Sequence, residues 1–179
     1  MASYVTLADF KKYAKKVEED VAGEALYQIY IDSAEQIVKD YLSYNPASQA
    51  YTHTLSGSGL SFMQLRAKPV TALTSVTIDG ASRAVGDFRL EDERLYDTTG
   101  DIFYLGATVV VAYTAGWSSV PGIIKLAVMR IASLLAMEAG ENIGVTSTTF
   151  DGGNSRTFIN YTNFAKYLAP LSSFRVVRL

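Results

Sequence analysis

Apolar and polar positions run through three regimes along the chain, first with a helical period, then with a period of two, then helical again. Thr6 followed three residues later by Asp9 has the form of a helix N-cap with an acidic first turn. Leu7, Phe10, Ala14 and Val17 then share a face, which predicts a short first helix with a basic outer side. A longer helix is predicted from about Val21 to Leu42, where Ala22, Ala25, Leu26, Ile29, Ser33, Ile37 and Tyr41 recur at intervals of three and four. Asn45-Pro46 ends that pattern. From Tyr51 the period is two: Tyr51, His53 and Leu55 alternate with threonines, Gly57-Ser58-Gly59 breaks the run, and Leu60, Phe62, Met63 and Leu65 follow, which reads as a hairpin. After Lys68-Pro69, the β-branched run Leu73 to Ile78 closes on Asp79-Gly80, a tight-turn dipeptide that tolerates positive φ, and predicts a second hairpin. Further strands are expected at Asp87 to Leu90, Ile102 to Leu105 and Ala107 to Tyr113, with Gly100-Asp101 and Gly106 as breaks.

The helical period returns after Gly116-Trp117-Ser118-Ser119. Pro121 suits a first helical turn, where its missing N–H would be unpaired anyway. The segment from Pro121 to Ala139 is apolar nearly all round and stops at Gly140, which predicts a buried core helix. Lys125, Arg130 and Glu138 interrupt it, and a central Lys or Arg costs about 2.5 to 3.5 kcal/mol in membrane insertion, so a membrane span is not the expectation. Asn142 to Arg156, with Asp151-Gly152-Gly153-Asn154 at its centre, has the composition of a long mobile loop. Tyr161, Phe164, Ala165 and Leu168 predict a final short helix ended by Pro170, and a tail follows.

The expectation is therefore one α+β domain over residues 1–179. It has helices in 1–45, an antiparallel β-hairpin region in 50–115, a core helix in 120–140, a flexible loop in 142–157, and a short helix and tail in 160–179.

Composition narrows the function. With 49% hydrophobic and 19% charged residues the chain is globular in type. A net charge of -2 lacks the basic excess that gripping phosphates needs, so DNA is expected as a neighbour and not as a ligand. The absence of cysteine removes thiolate chemistry and disulfides and fits synthesis in a reducing cytoplasm. The opening residues Met1 to Thr6 have neither the basic nor the apolar character of a secretory signal.

Catalytic patterns are not found. His53, the only histidine, sits between Thr52 and Thr54 with no partner at metal-ligand spacing, and a zinc site of the usual kind would need carboxylates alone after this first ligand. No Gly-x-Ser-x-Gly elbow and no phosphate-cradling glycine motif precedes a helix. The acidic runs Glu18-Glu19-Asp20 and Glu91-Asp92-Glu93 read as solvated surface, since adjacent carboxylates point apart. The expectation is no catalytic residue, no cofactor and no metal. Aromatics are the unusual feature, twelve Tyr and eight Phe. Phe150, Phe158, Tyr161, Phe164, Tyr167 and Phe174 have two possible destinations, their own domain or a neighbouring subunit, where aromatics and Arg are enriched. Phe150, Arg156, Phe158, Tyr161, Phe174, Arg175 and Arg178 are accordingly the candidate interface.

The order of segments resembles the gp6-like head-tail connector (adaptor) family of tailed phages over almost the entire chain. After an N-terminal helical pair, Lys68-Pro69-Val70-Thr71-Ala72-Leu73-Thr74-Ser75-Val76-Thr77-Ile78-Asp79-Gly80 is similar to that family's Pro-Val, Ser-Val, Asp-Gly strand signature. Asp87-Phe88-Arg89-Leu90 resembles its short Asp-aromatic-x-Leu strand. Val109 to Ala127, with Tyr113-Thr114-Ala115-Gly116-Trp117 and Pro121, resembles its strand, Tyr-x-Ala-Gly-aromatic turn, Pro and apolar helix. The turn around Gly23 and the long β middle depart from the smallest, mostly helical members.

The resemblance implies a structural virion protein of a phage or prophage with no enzymatic activity, made in the host cytoplasm. It would form a homo-oligomeric ring at the head-tail junction, beneath the portal, offering the tail or stopper a docking surface and passing DNA through a central channel without specific binding. Such a ring needs two different complementary faces on each copy. The 142–156 loop and the Leu171 to Leu179 tail would order on meeting the portal or a neighbour. The alternatives are another neck protein, such as a stopper or tail-completion factor expected to be dominated by β-structure, and a small binding domain or enzyme with an unrecognised site.

Overall fold

The computed structural model describes residues 3–14, 21–100, 103–138, 147–149, 155–157 and 164–176. Helices and antiparallel sheets coexist, as an α+β fold requires. The chain divides into two compact units, Met1–Tyr41 with Pro121–Phe174, and Leu42–Val120 with Arg175–Leu179.

In the first unit Thr6 caps helix α1 (Leu7–Ala14) as its spacing predicts: its hydroxyl accepts the Asp9 N–H at 3.1 Å and donates to the Asp9 carboxylate at 2.7 Å. Phe10 is buried from α1 and its ring lies 5.8 Å from that of Tyr27 on α2 (Val21–Leu42). Helix α2 ends where Ser43 takes a φ of 68°, three residues before Pro46.

The buried face of α2 is not the predicted one. Ile31, Ala34, Glu35, Val38 and Leu42 point inward, whereas Ala25, Leu26, Ile29 and Ser33 are exposed and Ile37 and Tyr41 are half-buried. The reason is polar. One oxygen of the buried Glu35 carboxylate accepts the Tyr4 N–H at 2.9 Å, the Val5 N–H at 3.2 Å and the Ser3 hydroxyl at 2.7 Å, so the N-terminal segment covers that side. Lys39 lies 3.7 Å from the second oxygen. A hydropathy count discards a glutamate as surface, and here the glutamate marks the core.

Helix α3 (Gly122–Glu138) starts one residue after Pro121, whose carbonyl accepts the Ile124 and Lys125 N–H groups at 3.0 and 3.2 Å. It buries Ile124, Ala127, Val128, Ile131 and Ala132. Part of the predicted loop is instead a small hairpin, Ser147–Thr149 with Ser155–Thr157; the rest of 142–156 lies outside the described residues. Pro170 does not end the last helix: α4 (Phe164–Leu168) tightens into a 3₁₀ helix over Ala169–Phe174, which forgoes the i to i−4 bond that proline cannot donate. Leu168 and Leu171 are buried, and the Leu171–Phe174 part of the expected tail is already helical.

Among the described residues the second unit holds seven strands: β1 (Gln49–Ser56), β2 (Phe62–Gln64), β3 (Val70–Ile78), β4 (Ala81–Arg83), β5 (Phe88–Glu91), β6 (Arg94–Asp97) and β7 (Thr108–Ala115). They form a four-stranded sheet in the order β1-β7-β3-β4 and a three-stranded sheet in the order β2-β6-β5. The Asp79-Gly80 hairpin is present, with φ of 50° and 81° at the two turn residues. The hairpin expected between Tyr51–Leu55 and Leu60–Leu65 is not: β1 pairs with β7 over its whole length, from Gln49↔Ala115 to Ser56↔Thr108, and β2 joins the other sheet. Alternation identifies a strand's buried side but not its partner. Strand β6 was unforeseen because Arg94 and Asp97 bracket it, and the acidic run Glu91-Asp92-Glu93 is its turn, with Asp92 at a φ of 53°. Phe103 to Leu105 form no strand; Phe103 is buried in an irregular segment, and Ile102 lies outside the described residues.

Inward residues of the larger sheet, Leu55, Val76, Val109, Val111, Tyr113 and Ala115, are buried at alternate positions. Gly116 then turns the chain at a φ of 106°; a Cβ there would lie 2.5 Å from the Ala47 carbonyl oxygen, so only glycine lets Trp117 bridge to Ala47.

The choice of face on α2 is testable by urea unfolding. Ile31→Ala is expected to cost about 2 to 5 kcal/mol and Glu35→Ala on the order of 3 kcal/mol, because buried donors lose their acceptor. Ile29→Ala should stay within about 0.5 kcal/mol.

Candidate interaction surfaces

Of the residues singled out from the sequence, Phe174 closes the 3₁₀ helix half-buried, Arg175 is exposed, and Arg156 lies in the strand Ser155–Thr157. Phe150, Phe158, Tyr161 and Arg178 lie outside the described residues. Of the late aromatics, Tyr167 is half-buried beneath the Arg130 guanidinium, 5.9 Å from its ring centroid.

His53 has a structural occupation. The Tyr113 hydroxyl lies at hydrogen-bond distance from its Nδ1, 2.9 Å, and accepts the Arg66 N–H at 3.1 Å, while Tyr51 stacks on Tyr113 with centroids 5.7 Å apart. Burial, and then the positive charge of Arg66, push the His53 pKa below its ordinary value; burial pushes the Tyr113 phenol up to about 12. Both shifts favour the neutral forms of the two groups. Among the described residues no three His, Asp or Glu side chains gather into a metal-binding group, and no helix is long and apolar enough to cross a membrane.

Three exposed features stand out against this background. The outer face of the larger sheet carries Ala50, Thr52, Thr54 and Ser56 on β1 opposite Thr114, Ala112, Val110 and Thr108 on β7, without one charged residue. Interfaces are depleted in charge in the same way. Strand β1 is also an edge among the described strands, and its sequence contains no Lys and no Pro, the residues that ordinarily blunt a free edge.

The second feature is a projecting tip. Loops Gly57–Leu60 and Phe103–Ala107 are joined by backbone bonds: Gly57 N to Ala107 O at 2.8 Å, Gly59 N to Phe103 O at 2.7 Å, Phe103 N to Leu60 O at 2.9 Å and Gly106 N to Gly57 O at 3.1 Å. On this rigid base Leu105 is 85% exposed and Tyr104 64%, with Leu60 beside them. A groove of about 360 Å³ adjoins it, lined by Leu55, Leu60, Phe62, Met63, Leu65 and Val176 among others. The sequence signal was present in the glycines flanking apolar residues, but the period-two reading assigned Leu60 and Leu105 to strands.

The third feature is the stripe of Leu26 and Ile29 on α2, 51% and 57% exposed, which the helical period had assigned to the core.

Comparison with known proteins gives a consistent picture. The model of the family described as head completion protein matches residues 3–174. No curated protein matches the chain. Among solved structures, a chain in the neck of an empty gene transfer agent (GTA) particle computed with C6 symmetry is similar with a TM-score of 0.62 and 18% identity, covering 100% of this chain and 94% of that one. A chain in the virion of a native gene transfer agent particle is similar with a TM-score of 0.58 and 18% identity, covering 98% of this chain and 91% of that one. At this identity the likeness concerns the fold.

Two outcomes follow from the geometry of the second unit. Because burial lowers the pKa of His53 in the native state, the unfolded chain takes up the proton first as pH falls. Stability should therefore decline below about pH 6.5 until the native histidine also protonates. The difference between wild type and His53→Gln in urea unfolding from about pH 5 to 8 should show this slope. Gly57→Ala drives a Cβ into the Tyr104 carbonyl oxygen. It should cost about 1 to 3 kcal/mol and speed amide exchange at Phe103 and Gly106.

Proposed function

The chain belongs to the head completion protein family, and from that premise we propose that it is a structural neck protein of a tailed phage, prophage or phage-like particle, acting as one copy of a ring at the head-tail junction. The observation that carries this reading is the likeness over the full chain to a protein in a particle neck computed with C6 symmetry. Within the neck, the finer assignment is the gp6-like connector, or adaptor, made in the host cytoplasm and seated beneath the portal. It offers the tail or stopper a docking surface. The helical first unit supports the adaptor over a stopper, for which a β-dominated chain is expected.

The chemistry of the surface supports assembly over catalysis. Apolar side chains stand exposed on both units: Leu26 and Ile29 on α2, Tyr104 and Leu105 on the tip. The single histidine is engaged by the Tyr113 hydroxyl within the second unit, and burial lowers its pKa. A net charge of -2 suits a channel wall along which DNA moves without being held. Phe174, Arg175 and Arg156, together with Phe150, Phe158, Tyr161 and Arg178, remain candidates for contact with the portal or a neighbour.

Light scattering on the purified protein, alone and mixed with the portal protein of the same genome, tests the reading. A ring, or a portal-bound complex of matching stoichiometry, is expected. A monomer indifferent to the portal overturns it.

A further inference from the structure

Helix α2 carries two apolar stripes, and its own unit buries one. Ile31, Ala34 and Val38 are fully buried, while Leu26 and Ile29, a turn apart on another side, stand in solvent with Ala25 exposed beside them. Charge along the exposed side is acidic: Asp32 and Asp40 are exposed, each bonded among the described residues to a neutral glutamine of the same helix. Glu24, nearer the N-terminus, is paired with Lys11. The single base of α2, Lys39, lies by Glu35.

The same unit holds a surface of the opposite character. A groove of about 350 Å³ runs between α1 and α3, lined by Val5, Asp9, Lys12, Tyr13, Lys125 and Met129. Its floor and walls are apolar at Val5, Tyr13 and Met129. Its acid, Asp9, is bonded to the Thr6 hydroxyl in the α1 cap. Lys12 and Lys125 make no ion pair among the described residues.

Resting on the ring reading above, we propose that neighbouring copies join by seating the Leu26–Ile29 stripe of one copy in the α1–α3 groove of the next, with Asp32 of the first facing Lys12 and Lys125 of the second. Two different faces of one chain meet, which is what a contact that repeats by rotation and closes into a ring requires. Pairing α2 with α2 of a second copy would instead set Asp32 and Asp40 against like charge. Charge complementarity therefore selects the groove of a second copy as the occupant.

The absence of cysteine makes the test direct. Ile29→Cys and Met129→Cys are placed on two differently tagged copies, each variant checked for wild-type circular dichroism, and oxidised in whichever form assembles, free or portal-bound. The expected product is the heterotypic I29C–M129C dimer. Ile29→Cys should react with maleimide in dilute monomer and become protected on assembly. Asp32→Lys should weaken assembly at least about tenfold, and Lys12→Asp with Lys125→Asp in the same chain should restore it. An I29C–I29C dimer overturns the proposal in favour of a symmetric contact. Protection already present in the monomer overturns it in favour of cover by the chain's own residues. A ring that forms without the I29C–M129C link overturns this pairing alone, whereas a chain that never assembles, even with the portal, overturns the ring reading itself.

Discussion

The carboxylate of Glu35 accepts the N–H groups of Tyr4 and Val5 and the hydroxyl of Ser3, and through them determines which side of the long helix faces inward. A buried carboxylate without such donors would be expelled to solvent or neutralised. With them, the N-terminal segment is held along α2, and Val5 and Tyr4 are buried with it. The hydroxyl of Tyr4 returns a bond to the Glu35 carbonyl at 3.2 Å, and burial, then the negative charge of Glu35, push that phenol's pKa up. Because this side is committed, Leu26 and Ile29 are left outside. The polar anchor thus bears both on the packing of the first unit and on the apolar stripe that α2 leaves exposed.

The second unit depends on β7, which pairs with β1 on one side and β3 on the other. Its inward residues, from Val109 to Ala115, are buried, and its outward ones continue an uncharged face of threonine, alanine and valine. Two glycines place the ends of this strand. Gly116 lets the chain pass against Ala47, and Gly57 lets the neighbouring loop close on Tyr104, so the projecting Tyr104 and Leu105 rest on paired backbone.

A protein built this way is suited to assembly. Its polar side chains are used internally: among the described residues no buried side-chain nitrogen or oxygen lacks a partner. Its exposed apolar groups stand on helices and tightly bonded loops, where little conformational entropy remains to be lost on docking. Membership of the head completion protein family accords with such a chain.

The local periods sufficed for the existence and type of most elements. The Thr6 cap, the span of α2, the Asp79-Gly80 hairpin, the strand before Gly116 and the helix after Pro121 are all local, because caps, turns and amphipathic repeats act over a few residues. Partners and faces were not legible. That β1 pairs with β7, more than fifty residues away, depends on long-range packing that alternation within β1 cannot encode. That β6 exists was hidden by its flanking charges. The exposure of Leu26, Ile29, Leu60 and Leu105 is concealed for a further reason: an apolar residue left in solvent has the same local pattern as one packed in the core. The sequence alone determined where the chain turns helical or extended, because those signals are local. Only the tertiary structure decided which apolar residues the chain keeps for itself, because that depends on where the Glu35 carboxylate finds its donors.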